Sequence, residues 1–208
     1  MGVKERRESE KQARREQILD AARKLLFSHG IENISVSKIS KEAELGIGTI
    51  YFYYKSKEEI FIALQEEGIA HLFANIQKIA DKPIEPHEKL RQIAYAYHGF
   101  TETQIEYFNI INYFLSSPKV YFKAELKQQV DSSAGNILAL IQEIIIGGQK
   151  SGHFVEDDPE KFSVMFWGTL HGLLQFKKLE NTTLRKQVYL EIYEYSMEKL
   201  IQGIVCHK

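Results

Sequence analysis

Residues 35–57 read SVSKISKEAELGIGTIYFYYKSK, and this stretch decides the fold. Its pattern predicts two short helices around a tight turn, followed by the start of a long helix. The second short helix, residues 46–53, has no charged residue. A helix that faces only water normally carries charges on its outer side. We therefore expect this helix to contact a binding partner.

Four lysines lie on either side of the uncharged helix, at Lys38, Lys41, Lys55 and Lys57. In protein–DNA complexes, cations hold the phosphate backbone, whereas hydrogen bonds and apolar contacts to base edges provide specificity. The arrangement therefore predicts a helix-turn-helix that binds DNA. The alternative is an aromatic core segment with lysines in water. Helix length, turn and flanking lysines together favour DNA binding.

Composition and charge exclude several other classes of protein. The net charge is −1 over 208 residues; residues 1–60 hold 12 Lys and Arg against 10 Asp and Glu, and the rest 15 against 18. Cys206 is the single cysteine, so neither an internal disulfide nor a cysteine zinc site is expected. The N-terminus lacks the apolar segment of a signal peptide. The most apolar stretch, 137–146, is too short for a span of about 20 residues. A cytoplasmic protein without membrane contact is expected.

Apolar residues recur at helical spacing along almost the whole chain, which predicts an all-α fold of about nine helices. Residues 1–12 are expected to form a mobile arm or an extension of the first helix. Ser56 and Glu59 fit a capping box at the start of the fourth helix. Residues 81–86 form the clearest linker. Later helices are predicted at 87–102, 104–116, 120–150, 160–179 and 184–205.

Three segments resemble the N-terminal domain of the tetracycline-repressor (TetR) family of bacterial transcription regulators. They are ILDAARKLLFSHG at 18–30, ISVSKISKEA at 34–43 and GTIYFYYKSKEEIF at 48–61. The resemblance implies a three-helix DNA-binding domain at 1–56 and a helical effector-binding and dimerisation domain at 57–208. Glu44 stands where the family usually has glycine. Either Glu44 adopts the left-handed conformation, at a cost of about 1 kcal/mol, or the turn differs slightly from that of the family.

The same resemblance, together with residue chemistry, defines the expected DNA surface. Ser35, Ser37 and Lys38 are expected to contact phosphates. Lys57, at the start of the fourth helix, can do so too, because free N–H groups there favour an anion. Lys55 is the remaining flanking cation. Residues of the uncharged helix are expected to face the groove, with thymine methyls as one apolar contact: Ile47, Gly48, Thr49, Tyr51, Phe52 and Tyr53.

Aromatic residues are concentrated between positions 95 and 122, where nine of 28 are Tyr or Phe. Such a segment can line a cavity for an apolar or amphipathic ligand. Fatty-acyl compounds, aromatic metabolites and lipophilic drugs are all candidate effectors, and an ordinary core of large side chains is the alternative. The expected lining residues are Tyr95, His98, Phe108, Ile111, Tyr113, Phe114, Tyr121 and Phe122.

Two late helices are expected to form a homodimer interface. Gly168 and Gly172 lie one turn apart and cost up to about 1 kcal/mol each in a helix, so we expect a packing reason for them. Packing within one subunit is the alternative. Gln175 extends this face, and the last helix offers Ile192, Tyr195 and Leu200. A two-fold dimer would place recognition helices about 34 Å apart on a palindromic operator.

Two other functions compete with that of a ligand-responsive regulator. No two histidines have the i, i+4 spacing of a helical zinc site, and no phosphate-binding glycine loop or nucleophile elbow is present. An enzyme is therefore disfavoured, and no catalytic residue, metal or cofactor is expected. A helix-turn-helix protein without an effector is the second alternative. The resemblance favours repression only as the family's usual habit.

Overall fold

A computed structural model describes residues 2–116, 124–177 and 186–206. The described residues form nine α-helices and one short 3-10 helix, as the periodicity predicts. In chain order these are α1 Val3–His29, the 3-10 helix Ile31–Asn33, α2 Val36–Glu42, α3 Ile47–Tyr53, α4 Lys57–Ala80, α5 Pro86–Thr103, α6 Ile105–Ser116, α7 Ala124–Lys150, α8 Pro159–Phe176 and α9 Lys186–Gln202. The predicted pocket residues Tyr121 and Phe122 lie outside the described residues.

The turn between α2 and α3 is closed by local hydrogen bonds. Ser35 caps α2, and its Oγ accepts from Lys38 N at 3.2 Å. Ser40 closes the turn from both sides, because Leu45 N donates to its carbonyl at 3.0 Å and its Oγ donates to Leu45 O at 2.7 Å. Glu44 has φ 54° and is the one non-glycine residue with positive φ in the described ranges. Of the two alternatives for this turn, the one in which Glu44 itself adopts the left-handed conformation is therefore observed.

The chain packs as two compact units, and the first one contains more than the helix-turn-helix. It comprises residues 1–69 together with 104–130. Its core includes Ile18 and Leu26 of α1, Ile39 of α2, Ile50 of α3 and Phe61 of α4. Ile110 and Phe114 of α6 complete the same core. The core of the DNA-binding unit is therefore closed by a helix about 50 residues further along the chain.

A shared carboxylate links α1, α4 and α6 inside this unit. Glu67 accepts two hydrogen bonds from the Arg23 guanidinium, at 2.8 and 2.9 Å, and one from the Tyr107 hydroxyl at 2.6 Å. A Cβ on Gly68 would lie 2.8 Å from Tyr107 Cβ. Glycine at this position lets the tyrosine lie directly on the α4 backbone, which places its hydroxyl beside Glu67.

The second unit comprises residues 70–103 and 131–208. In it α8 packs on α9, and α5 packs on both. Arg91 donates to both carboxylate oxygens of Glu198, and the buried Tyr193 hydroxyl donates to Ala94 O at 2.7 Å. An ion pair on the polar side of α9 and a hydrogen bond on its buried side therefore connect α9 to α5.

The capping box at α4 forms only in part. Glu59 N donates to Ser56 Oγ at 3.3 Å, as predicted. The Glu59 carboxylate, however, accepts from Lys55 N at 2.7 Å. For the N-terminal residues, the sequence allows a mobile arm or an extension of the first helix. The extension is observed, because α1 begins at Val3.

Asp158 caps α8, with Pro159 as its first residue.

Adjacent glycines near the end of α7 give a matched stability prediction. A Cβ on Gly148 would overlap the Phe154 ring, whereas a Cβ on Gly147 would meet nothing within 4 Å. Gly148→Ala should lower the free energy of unfolding by about 1–3 kcal/mol, because the core must shift to admit it. Gly147→Ala should be neutral or stabilise by up to about 1 kcal/mol, because alanine favours helices. Urea unfolding at one protein concentration measures both, and equal effects would contradict the packing.

Candidate nucleic-acid interface

The uncharged helix α3 presents one face to solvent and the other to the core. Ile50 is fully buried and Tyr54, just after the helix, is 2 % exposed. On the outer face Phe52 is 69 % and Tyr51 47 % exposed, and Ile47 and Gly48 are exposed as well. Ile47 and Tyr51 lie one helical turn apart, and adjoining exposed apolar side chains can mark a binding surface. This is the face that the sequence predicts for the DNA groove.

Two of the residues predicted to face the DNA groove, Thr49 and Tyr53, are half-buried and therefore less exposed than Tyr51 and Phe52. Thr49 lies in the first turn of α3, and its N–H donates to Gly46 O at 2.9 Å. Tyr53 packs against the core cluster of the DNA-binding unit, and its ring meets Phe52 edge to face at 5.0 Å between centroids. Tyr51 and Tyr53 thus point to different sides of the helix, as their spacing requires.

Two of the flanking lysines, Lys38 and Lys55, donate hydrogen bonds to backbone carbonyls beside this face. Lys55 Nζ donates to Phe52 O at 3.0 Å at the carboxyl end of α3. Lys38 Nζ donates to Asn33 O at 2.8 Å. Ser35, Ser37, Lys38 and Lys55 are all exposed. The described geometry therefore brings these predicted phosphate contacts to the surface of the same unit that carries α3.

Lys57 differs from the other cations. It is half-buried, its Nζ lies 3.3 Å from Ile34 O and 4.8 Å from the centroid of the Phe61 ring. A cation over an aromatic face contributes about 0.5–1 kcal/mol. Lys57 therefore has a packing role beside the phosphate role predicted for it.

Two polar residues of α1, which the sequence reasoning did not single out, position the reading helices. Arg15 Nη1 donates to Tyr53 O at 2.8 Å, and its guanidinium lies 4.2 Å from the centroid of the Tyr54 ring. Gln17 Nε2 donates to Ala43 O at 2.9 Å. The last carbonyls of a helix lack partners within it, so α1 supplies donors to the ends of both α2 and α3. Burial raises the pKa of Tyr54, so its hydroxyl stays neutral beside Arg15.

The predicted pocket residues fall into two groups in the structure. Tyr95 and His98 lie on α5 in the second unit; the Tyr95 hydroxyl donates to Glu194 at 3.1 Å, and the His98 ring lies 5.5 Å from that of Tyr193. Phe108 and Ile111 are buried on α6 in the first unit. Phe114 is part of the helix-turn-helix core, and the half-buried Tyr113 packs against that core. Their role in ligand binding stays a prediction.

The predicted dimer residues lie on α8 and α9, where Gly168, Ile192 and Tyr195 are exposed and Gly172 is half-buried. A Cβ on Gly168 or Gly172 would meet no described atom within 4 Å. Val164, Met165 and Phe176 are exposed on the same helix. On α9, Tyr195 is 66 % and Ile192 36 % exposed. Gln175 and Leu200 are half-buried. Contacts with other described residues of the same subunit therefore do not explain why glycine stands at these two positions.

Within the described ranges, no group of three or more His, Cys, Asp or Glu residues could hold a metal ion. None of the described helices has the length and apolar character needed to cross a bilayer.

This geometry defines the class of protein: an all-α chain whose helix-turn-helix presents an uncharged reading helix beside exposed cations. Sequence comparison identifies the family. Residues 18–64 match bacterial regulatory proteins of the tetR family, and residues 77–202 match the C-terminal region of QacR-like proteins. The chain belongs to the TetR family and is a DNA-binding transcriptional regulator.

Individual relatives agree with this assignment. The chain is 26 % identical over 155 residues to the fatty acid metabolism regulator protein of Bacillus subtilis, covering 74 % of this chain and 78 % of the relative. It is 30 % identical over 152 residues to the uncharacterised helix-turn-helix regulator YhgD of the same organism, covering 71 % and 75 %.

Solved structures share the fold. FadR from Bacillus subtilis in complex with stearoyl-CoA has a TM-score of 0.69 at 24 % identity, over 90 % of this chain and 98 % of that one. The SmeT–triclosan complex has a TM-score of 0.69 at 19 % identity, over 93 % and 92 %. The similarity to both confirms the all-α architecture.

The exposed Lys38 gives a test of the phosphate interactions. Lys38→Gln should weaken binding to every duplex and reduce the slope of log K against log salt by about 0.9 for each phosphate that is no longer neutralised. The equally exposed Lys78 in the second unit gives the control variant Lys78→Gln, with the same charge change. Fluorescence anisotropy with a duplex selected from a random pool, at several salt concentrations, measures both. Identical slopes for the two variants would exclude binding of a phosphate by Lys38.

Proposed function

We propose that this chain is a ligand-responsive repressor that leaves a palindromic operator when a small apolar or amphipathic effector binds. The observation that carries the DNA half of the proposal is the exposed, uncharged face of α3 with Lys38 and Lys55 beside it. Phosphate contacts by the cations would supply affinity, and Tyr51 and Phe52 would supply sequence selectivity.

A fatty acyl-CoA is the proposed effector class. Two comparisons support it: the 26 % identical Bacillus subtilis protein is a fatty acid metabolism regulator, and a structure of Bacillus subtilis FadR contains stearoyl-CoA. An acyl chain suits a cavity wall of aromatic and aliphatic side chains, and the sequence between positions 95 and 122 is rich in both. Triclosan in the SmeT complex makes lipophilic aromatic compounds the second class to test.

The Glu67 network offers a route by which ligand control could reach the reading helix. Tyr107 of α6 and Arg23 of α1 share the Glu67 carboxylate of α4. An effector that displaces α6 or α4 would have to break or carry along this network, and with it α1. Since α1 also holds the ends of α2 and α3 through Gln17 and Arg15, the displacement would move the reading face. The effector needs only to bind one conformer better than the other.

The effector proposal predicts chain-length-dependent release from DNA. Stearoyl-CoA should lower affinity for the selected duplex by about tenfold or more, a coupling of roughly 1.4 kcal/mol. Free CoA and butyryl-CoA should have little effect, because they lack the long apolar chain. Anisotropy titrations at fixed salt measure this, with triclosan in a parallel series.

Controls separate specific release from detergent action. Stearoyl-CoA is kept below its micelle concentration, and an unrelated helix-turn-helix protein is titrated alongside. If neither acyl-CoA nor triclosan changes affinity, this effector proposal fails and a regulator without these ligands takes its place.

We also propose that α8 and α9 form the homodimer interface. Apolar residues on two helices support this. Val164, Gly168, Gly172 and Phe176 recur every four residues on α8, and all but the half-buried Gly172 are exposed. Ile192 and Tyr195 are exposed on α9. The glycines leave the α8 surface flat enough for a partner helix to approach closely. A two-fold axis through this face would give two copies of α3 for two halves of a palindrome.

The open space around Gly172 makes the interface testable without loss of folding. Gly172→Leu should fold, because a Cβ there meets no described atom, yet should be monomeric and bind the selected duplex far more weakly. Gly147→Leu on α7 introduces the same side chain at another open position and should remain a dimer. Analytical ultracentrifugation and circular dichroism check both. A folded, dimeric Gly172→Leu would place the interface elsewhere.

A further inference from the structure

The first helix extends well beyond the core that it helps to build. α1 begins at Val3, yet its first fully buried residue is Ile18. Residues 4–14 are exposed throughout. At about 1.5 Å per residue, the helix from Lys4 to Ile18 reaches about 21 Å, the length of about six base pairs of duplex. The extension is long enough to reach DNA beyond the contacts of α3.

One face of this extension is basic. Lys4, Arg7, Lys11 and Arg14 recur at spacings of three, four and three residues, which places them on one side of a helix. Among the described residues, neither Lys4 nor Arg7 makes an ion pair. Glu8 lies at the edge of the stripe, 3.8 Å from Lys11. Glu10 pairs instead with Arg6 at 3.0 Å, outside the stripe.

The basic stripe leads to the carboxyl end of the reading helix. Arg15 directly follows it and donates to Tyr53 O at the end of α3. Lys11 lies one turn before Arg15, on the same side of α1. Lys55 Nζ donates to Phe52 O at that same end of α3. The stripe therefore continues a cationic zone that already adjoins the exposed α3 face.

The chemistry of the extension selects its partner. Residues 4–17 contain Ala13 as their single apolar residue. A membrane-surface helix or a helix that docks in a protein groove needs an apolar face, and this one has none. A row of cations with no apolar component matches the phosphate backbone of nucleic acid. Duplex DNA is the occupant because the stripe adjoins the surface of a DNA-binding regulator.

We propose that residues 4–14 are a second DNA-contacting element, whose stripe of Lys4, Arg7, Lys11 and Arg14 binds backbone phosphates flanking the sequence that α3 reads. The proposal rests on DNA binding by α3 and adds affinity and reach to it. It assigns no base specificity to the extension, because isolated phosphate contacts carry none.

Duplex length tests the proposal directly. Random-pool selection first yields a bound sequence, and two duplexes are then made, one ending at its outermost specified base and one extended by about seven base pairs on each side. We compare wild type with K4Q/R7Q/K11Q/R14Q, since glutamine keeps a good helix propensity. On the long duplex the variant should lose at least about tenfold in affinity, with a shallower salt slope. On the short duplex the two proteins should differ by less than about threefold.

A matched pair distinguishes the stripe from general charge. Arg7→Gln lies on the stripe and Arg6→Gln beside it, with the same change of charge and residue type. Only Arg7→Gln should reduce the salt slope on the long duplex. Equal effects of the pair, equal loss of affinity on both duplexes, or an unaffected quadruple variant would each overturn the proposal. Wild type that binds no selected duplex would instead overturn the α3 interface itself.

Discussion

The carboxylate of Glu67 is shared between side chains of two other helices, and the arrangement of the DNA-binding unit depends on it. Arg23 of α1 and Tyr107 of α6 both donate to it. The hydrogen bonds that Arg23 donates to Glu67 raise the pKa of Arg23. Burial, and then the nearby Glu67 carboxylate, raises the pKa of Tyr107. Both donors therefore keep their protons at any physiological pH. Separating α6 from α4 would leave a half-buried carboxylate with one donor fewer, a cost of about 1.5–3 kcal/mol for a bond to a charged group.

In the DNA-binding unit, different kinds of contact position α3 and leave its outer face free. Buried apolar residues such as Ile50 fix the inner side of α3, and polar residues of α1 hold its end. The outer side, which carries Tyr51 and Phe52, stays exposed to solvent. The cations Lys38 and Lys55 bind backbone carbonyls in the free protein. They would exchange these neutral acceptors for phosphates on DNA, a change that favours the complex because the new acceptor is charged.

Much of this architecture can be predicted from the sequence, because helical periodicity and caps are local signals. The caps Ser35 and Asp158 follow from neighbouring residues, whereas the family pattern leaves open whether Glu44 is left-handed. The partner of the Glu59 carboxylate does not follow from neighbouring residues, since a shift of one residue, from Ser56 N to Lys55 N, depends on backbone angles. The aromatic run at 95–122 is harder still. Its described members lie on two helices in two compact units. The number of aromatic residues in a segment does not show toward which neighbours each side chain packs.

The completion of the helix-turn-helix core by Ile110 and Phe114 has a consequence for protein engineering. Regulators can be recombined by joining the DNA-binding region of one to the sensing region of another at a boundary in sequence. Here a graft that ended within α4 would import a foreign α6 and remove both side chains, leaving a gap beside Phe61. A chimera of this chain would therefore need to carry α6 with the reader, or to redesign the foreign helix to match it. The boundary of the DNA-binding unit is therefore set by packing, and no single cut in the sequence separates this unit from the rest.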